Sequence, residues 1–226
     1  MSANVLVVIP ALNADRTVER VVRDARELVQ TVVVVDDGST DRTAEIARDA
    51  GAIVLRHETN RGKGGALKTA FAYALANGFT GVISLDADGQ HLPAELPKFI
   101  AAARETGADL IIGSRAHLFA GMRRHRRLAN RFSSWAISRG SGARIEDSQS
   151  GFRYYSAAMV RAIPYRSEGF DFESEAIVRA VVRGYRVVSI PVSLGFIDGL
   201  ATSHFRPVVD IARILRTAVL SRFVWR

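Results

Sequence analysis

The chain has no cysteine among its 226 residues, which removes disulfides, thiolate metal sites and a cysteine nucleophile from consideration. No uninterrupted apolar stretch approaches the roughly 18 residues that a membrane-spanning helix needs. Nor does a basic n-region with a cleavage site precede the strand-like run Val5-Leu6-Val7-Val8-Ile9, so no secretory signal is expected. These absences imply a cytoplasmic protein, free or peripheral at the cytoplasmic face of a membrane. Low-complexity tracts, internal repeats and a clear domain linker are also missing. One further absence is local: residues 115–144 hold eight arginines and not a single Asp or Glu. In a chain of net charge +8, a single-sign block points to an anionic partner such as phosphate, nucleic acid or acidic lipid; otherwise it is a solvated basic loop.

What is present suffices for one domain with a substantial core, since 48% of the residues are apolar. The first half alternates short β-branched runs with helical patterns. Residues 5–9, 32–35, 52–55, 81–85 and 108–112 read as strands, and 17–29, 41–50, 63–77 and 94–105 as helices. In the first helix Val18, Val21, Val22, Ala25 and Leu28 form one stripe. Gly51, Gly78 and Gly107 stand where C-caps belong, and Ser39-Thr40-Asp41 supplies N-cap chemistry. Strand–helix alternation with near-continuous apolar strands predicts an α/β fold, a mostly parallel Rossmann-like sheet flanked by helices. The second half predicts a helix over 128–137, strands over 150–155 and 185–190, and a helix over 170–182. A basic amphipathic helix follows over 206–226, appended to a domain over 1–205, to pack on that domain or lie in a membrane interface.

Ligands of such sheets bind beyond the carboxyl ends of the strands. Two acidic motifs fall there and are expected to face one crevice. Leu85-Asp86-Ala87-Asp88-Gly89-Gln90-His91 places two carboxylates one residue apart before a glycine turn, hard oxygen ligands that suit Mg²⁺ or Mn²⁺ bridging to substrate phosphates. Val35-Asp36-Asp37-Gly38-Ser39-Thr40-Asp41 offers carboxylates to a nucleobase N–H or ribose hydroxyls, where capping alone accounts for Ser39 and Asp41 but not for the acid pair. Asn60-Arg61-Gly62-Lys63-Gly64-Gly65 sets cations and backbone N–H groups at a helix start, as anion sites do, or is simply a tight turn. It fits neither the P-loop nor the dinucleotide-binding pattern.

Read in order, Ile9-Pro10-Ala11-Leu12-Asn13, the Asp36-Asp37 motif, Asn60-Arg61-Gly62-Lys63-Gly64, the Asp86-Asp88 motif, Gly113-Ser114-Arg115 and Gln149-Ser150-Gly151-Phe152-Arg153 form a set. This set resembles the family-2 glycosyltransferases, in particular the branch that includes dolichol- and polyprenyl-phosphate mannose synthases. The resemblance spans nearly the whole chain. It implies a GT-A fold, a GDP- or UDP-sugar donor, Mg²⁺ or Mn²⁺, and inversion at the anomeric carbon. It also implies nucleotide-sugar contacts from Pro10, Asn13, Asp37, Lys63 and Asp86. Asp86, Asp88 and Gln90 would form the metal and diphosphate site, Asp88 and Arg115 would act at the reacting phosphates, and Arg153 would sit on the acceptor side or pair with Asp147. Two departures stand out. Ala14 follows Asn13 where the family often has Glu, with Asp15 as the substitute, and the C-terminal membrane spans of many relatives are missing.

The expected reaction moves a hexose, mannose or glucose, from the nucleotide sugar to a polyprenyl or dolichyl phosphate. A phosphate monoester is already a nucleophile, its second pKa being about 6. An alcohol acceptor would instead need a base, for which Glu173 and Glu175 are the candidates, though both also suit a helix N-terminus. Arg127 and Arg131, with Arg123, Arg124 and Arg126, would hold the acceptor phosphate and meet an anionic membrane surface. The alternatives are a family-2 enzyme acting on a hydroxyl of a small molecule or protein, and a non-catalytic nucleotide or nucleic-acid binding module. No nucleic-acid partner is expected, because the acid pairs would repel its phosphates.

Overall fold

Val5, Leu6, Val7, Val8 and Ile9 send side chains to both faces of a strand, and all five are buried, so this strand must run inside the sheet with cover on each side. The computed structural model describes residues 4–121, 124–195, 215–217 and 219–224, apart from the side chains of residues 120, 125 and 126. The strands are β1 (Val5–Ala11), β2 (Thr31–Asp36), β3 (Ile53–Arg56), β4 (Gly81–Ser84), β5 (Leu110–Ser114), β6 (Arg153–Ser156) and β7 (Val187–Pro191). The helices are α1 (Val18–Arg26), α2 (Thr43–Asp49), α3 (Gly62–Ala76), α4 (Leu96–Thr106), α5 (Arg124–Ser141), α6 (Ala157–Ala162) and α7 (Phe172–Val182), with 3-10 turns at Pro93–Glu95 and Ala116–Gly121.

The sheet order is β3-β2-β1-β4-β6-β5-β7. All neighbours pair in parallel except β6, which lies antiparallel between β4 and β5. The period of two divides the core. Val5, Val7, Ile9, Val32 and Val34 pack with Val18, Val21, Val22 and Ala25 of α1 and with Leu96 and Phe99 of α4. Leu6, Val8, Val33 and Val35 face the other way, onto Leu67, Ala70 and Phe71 of α3 and Phe172, Ala176 and Ile177 of α7.

The α/β expectation and its strand–helix alternation match this architecture. Several details differ. The strand expected over 150–155 forms only from Arg153, because Ser148 and Ser150 turn their carbonyls onto the Arg153 guanidinium. α5 is longer than the expected 128–137, and α6 is too short to show a stripe in the sequence. Most of the helix expected over 206–226 lies outside the described residues; within it, 215–217 and 219–223 are helical. Among the described residues no helix is long and apolar enough to cross a membrane.

Candidate active site

β1, β2 and β4 all end on one rim, and the antiparallel β6 begins there, so four loops converge where the strand order diverges around β1 and β4. Just past β4, Asp86 receives Lys63, the second residue of α3. Lys63 Nζ lies 2.6 Å from Asp86 Oδ1 and 2.7 Å from Glu173 Oε1 in the first turn of α7. The ring of His91 closes the other side, with Nδ1 at 3.4 Å from Asp86 Oδ2. Above the pair runs the backbone of Gly151. A Cβ there would collide with Lys63 Nζ and stand 2.6 and 2.7 Å from the two Asp86 oxygens, so a side chain would have to push the Lys63–Asp86 pair aside. The sequence motif Ser150-Gly151-Phe152 gave no sign of this contact, since its partners lie far along the chain.

The charges fix the protonation states. Burial alone would raise the Asp86 pKa, but Lys63, His91 and Arg115 outweigh it and hold it down to about 2. Burial would likewise discharge Lys63, yet Asp86 and Glu173 push its pKa above the ordinary lysine value. Asp88 goes the other way. Burial and the charge on Asp86 raise it to about 6. It accepts the backbone N–H of Gln90 on Oδ1 at 2.9 Å, across the turn that Gly89 makes at φ +72°. His91, pushed down to about 4 chiefly by burial, is neutral at pH 7, and its ring lies 5.3 Å from that of Phe152, tilted by 37°.

Arg115, directly after β5, is held on the rim by Asp147. The Arg115 N–H, Nε and Nη2 donate to its carboxylate at 3.0, 2.7 and 3.0 Å. The charge of Arg115 reaches Asp86 and Asp88 and favours their ionised forms. This corrects the expected Arg153–Asp147 pair. Arg153 is wholly buried, and its guanidinium donates instead to the carbonyls of Ser148, Ser150 and Glu173 at 2.8, 2.7 and 2.6 Å. Its hydrogen-bonding edge faces backbone rather than a ligand, so it positions the Ser148–Gly151 turn and α7. Glu175 is corrected in the same sense. It is fully buried, pairs with Arg179 at 3.0 Å and accepts the N–H groups of Arg166 and Ser167. Glu173 does face the site, bound to Lys63.

At the end of β2 the carboxylates are similarly committed. Asp36 accepts the Ser39 N–H and pairs with Arg56 at 3.2 Å. Asp37 accepts the N–H groups of Arg61 and Gly62 at 2.9 and 2.8 Å, and meets His57 Nδ1 at 2.7 Å. The helix-start amides expected to face an anion are thus taken by Asp37, and those of Gly64 and Gly65 by the Glu168 carbonyl. The effect is mechanical. Asp37 fastens residues 61–62, and the next residue, Lys63, reaches Asp86, so the two acidic motifs are joined through one turn. Asn13, at φ +50°, accepts the Thr40 N–H and donates its own N–H to Ser39, tying the β1 loop to the β2 loop beside Pro10. Arg131 is exposed on α5 and Arg127 half-buried; the expected Arg123 lies outside the described residues and the side chain of Arg126 is likewise not described.

Residues 6–167 match the profile of Glycosyl transferase family 2. The chain belongs to that family. It is 32% identical over 203 residues to an undecaprenyl-phosphate mannosyltransferase of Micrococcus luteus, a match covering 84% of this chain and 82% of the relative. It is 27% identical over 254 residues to a dolichyl-phosphate β-glucosyltransferase of Saccharomyces cerevisiae, covering 97% and 74%. Among solved structures, glucosyl-3-phosphoglycerate synthase from Mycobacterium tuberculosis with phosphoglyceric acid superimposes with a TM-score of 0.77 at 24% identity, covering 97% of this chain and 80% of that one. The fold of this family-2 enzyme is therefore GT-A.

Proposed function

We propose that this enzyme transfers a hexose from a GDP- or UDP-sugar to a polyprenyl phosphate, with inversion at the anomeric carbon. One observation carries the choice of acceptor: the glutamates at the crevice are not available as bases. Glu173 is bound to Lys63 and Glu175 is buried against Arg179, while Asp171 of the same turn accepts the Thr217 hydroxyl at 2.8 Å. An alcohol would need a base within hydrogen-bond reach. A lipid monophosphate needs none, being dianionic in good part at neutral pH. The polyprenyl- and dolichyl-phosphate relatives support the same reading.

Asp86 and Asp88 would hold Mg²⁺ or Mn²⁺ against the donor diphosphate. Asp88 fits that role, since it is a half-buried carboxyl raised to about 6 beside a second acid, a position that a cation relieves. Among the described residues no third carboxylate or imidazole completes a cage. Two carboxylates plus phosphate and water oxygens are what Mg²⁺ favours. The ion would supply Lewis-acid stabilisation of the charge growing on the departing diphosphate. Lys63 and Arg115 add fixed positive charge to the same rim, pre-aligned by Glu173 and Asp147. The loops of Pro10, Asn13 and Asp37 are assigned to the nucleoside side. Arg127 and Arg131 are assigned to the acceptor phosphate.

The test is transfer from radiolabelled GDP-mannose, UDP-glucose and related donors to polyprenyl phosphate with Mg²⁺ or Mn²⁺. A butanol-extractable labelled lipid is expected with one donor. No such product with any common donor, together with turnover of a soluble hydroxyl acceptor, would overturn the reading.

A further inference from the structure

Two helices of this protein are turned inside out with respect to water. On α5, Ser133, Ser134 and Ser141 are buried with Ile137, whereas Leu128 is 64%, Phe132 47% and Trp135 62% exposed. Those three follow i, i+4, i+7 spacing and so share one face, with the two aromatic rings 5.9 Å apart. The inward serines are used: Ser134 Oγ accepts the Ser148 N–H at 3.0 Å, and Ser138 Oγ accepts the Ile145 N–H at 2.9 Å. The C-terminal helical residues repeat the inversion. Thr217 and Ser221 are buried, while Val219, Phe223 and Val224 are 59%, 68% and 65% exposed.

Six of the eight large apolar side chains exposed among the described residues thus lie on these two helices. The helices touch, Arg222 Nη1 donating to the Ser141 carbonyl at 3.2 Å. A water-facing helix has no reason to hide serines and present Leu, Phe and Trp; an apolar medium on the outside gives one. Charge indicates which medium. Arg124, Arg131 and Arg139 are exposed along α5 and Arg216 on the tail, and no acidic residue occurs from 115 to 144. Exposed aromatics flanked by arginines, in a segment without acidic residues, match a bilayer interface, where rings sit at headgroup depth and cations meet lipid phosphates.

We propose that α5 and the C-terminal helix form one face that docks on an anionic lipid bilayer, Leu128, Phe132, Trp135 and Phe223 inserting and the arginines contacting phosphates. This deepens the lipid-acceptor reading by naming the surface that meets the membrane. The face adjoins the crevice on both sides. Ser134 is bonded to the turn that carries Asp147 and Gly151, and Thr217 to Asp171, two residues before Glu173. A bilayer held there would present acceptor phosphates at the rim of the site.

The full chain is tested by sedimentation with phosphatidylcholine vesicles containing phosphatidylglycerol, and with phosphatidylcholine alone. Binding is expected only to the anionic vesicles. In a Trp225→Phe variant, Trp135 becomes the sole tryptophan, and its emission is expected to shift to the blue and be quenched by brominated lipid. Combined Leu128→Ser, Phe132→Ser and Trp135→Ser is expected to weaken binding more than about tenfold, with an unchanged melting temperature because the side chains are exposed. The proposal is overturned if the full chain ignores anionic vesicles or if the triple variant binds as well. It is also overturned if the chain forms a lipid-free dimer that the triple variant dissolves, for the occupant is then a second copy. Transfer to detergent-dispersed acceptor without vesicle binding would sink this surface alone; vesicle binding without transfer would sink only the catalytic reading.

Discussion

The ammonium of Lys63 lies 2.6 Å from the Asp86 carboxylate, joining the first turn of α3 to the end of β4, and it shares that position with Glu173 at 2.7 Å. Removing it leaves two acids buried in one place. Lys63→Ala is expected to lower the unfolding free energy by about 3–5 kcal/mol in urea melts. Mn²⁺ is expected to raise the melting temperature of this variant more than that of the wild type, since the ion then takes over the vacated charge. A variant as stable as the wild type would mean that the pair is solvated and unimportant.

Asp88 predicts an unusual pH dependence in the metal-free protein. Its folded pKa is about 6 against an ordinary 3.8, so between those values the folded state binds more protons than the unfolded chain. Stability from this group is therefore present at low pH and lost as pH rises through 6. The loss is on the order of 2–3 kcal/mol. Asp86, held near 2, has completed its own contribution above pH 4 and does not overlap that window. Asp88→Asn is expected to abolish the fall, melting above the wild type at pH 7 without metal. It should also lose the stabilisation that Mg²⁺ or Mn²⁺ gives the wild type.

Gly151 carries no functional group, yet its replacement is expected to be severe. In Gly151→Ala the new methyl displaces Lys63 or Asp86 from their contact. Activity is expected to fall at least about a hundredfold, with a smaller stability loss of about 1–3 kcal/mol from overpacking. Calorimetric titration with Mn²⁺ and nucleoside diphosphate should show the weakened cation site directly. An alanine variant with wild-type turnover would remove this glycine from the site.

Glu173 and Glu175 are two residues apart and should behave differently. Glu175→Gln breaks a fully buried pair with Arg179 and is expected to cost about 3–5 kcal/mol of stability while leaving KM nearly unchanged below the melting point. Glu173→Gln is expected to lower kcat by loosening Lys63. The pH–rate profile should keep its shape, because neither residue acts as the base. A lost basic limb in the Glu173 variant would reinstate a proton-abstraction role.

The strands and major helices were legible because their signals are local. Val32 to Val35 is apolar whatever surrounds it, and Gly107 ends α4 at φ +62° as a C-cap should. The acid pair Asp86 and Asp88 was legible for the same reason, lying at a strand end before a glycine. Pairings were not. Arg115 and Arg153 look alike in sequence, and either could meet Asp147; only the antiparallel placement of β6 buries Arg153 among carbonyls and leaves Asp147 to Arg115. Glu175 reads as a candidate base until the turn at Arg166 and Ser167 is seen wrapped around its carboxylate. The inverted face of α5 is hidden too, because the Ser148 and Ile145 N–H groups that draw Ser134 and Ser138 inward lie in a turn that the helix pattern does not place.

Strand β6 has a consequence for how the molecule comes into being. β4 and β5 do not pair with each other; on their facing edges each hydrogen-bonds to the reversed segment Arg153–Ser156 between them. A chain emerging from the ribosome can pair β1 through β4 early, but β4 then waits with an open edge until some seventy further residues have been made. The half proposed to hold the nucleoside can thus form early in synthesis. The half that brings Arg115, Asp147 and Gly151 to Asp86 needs a later, long-range closure, and the proposed site is complete only once that closure is made.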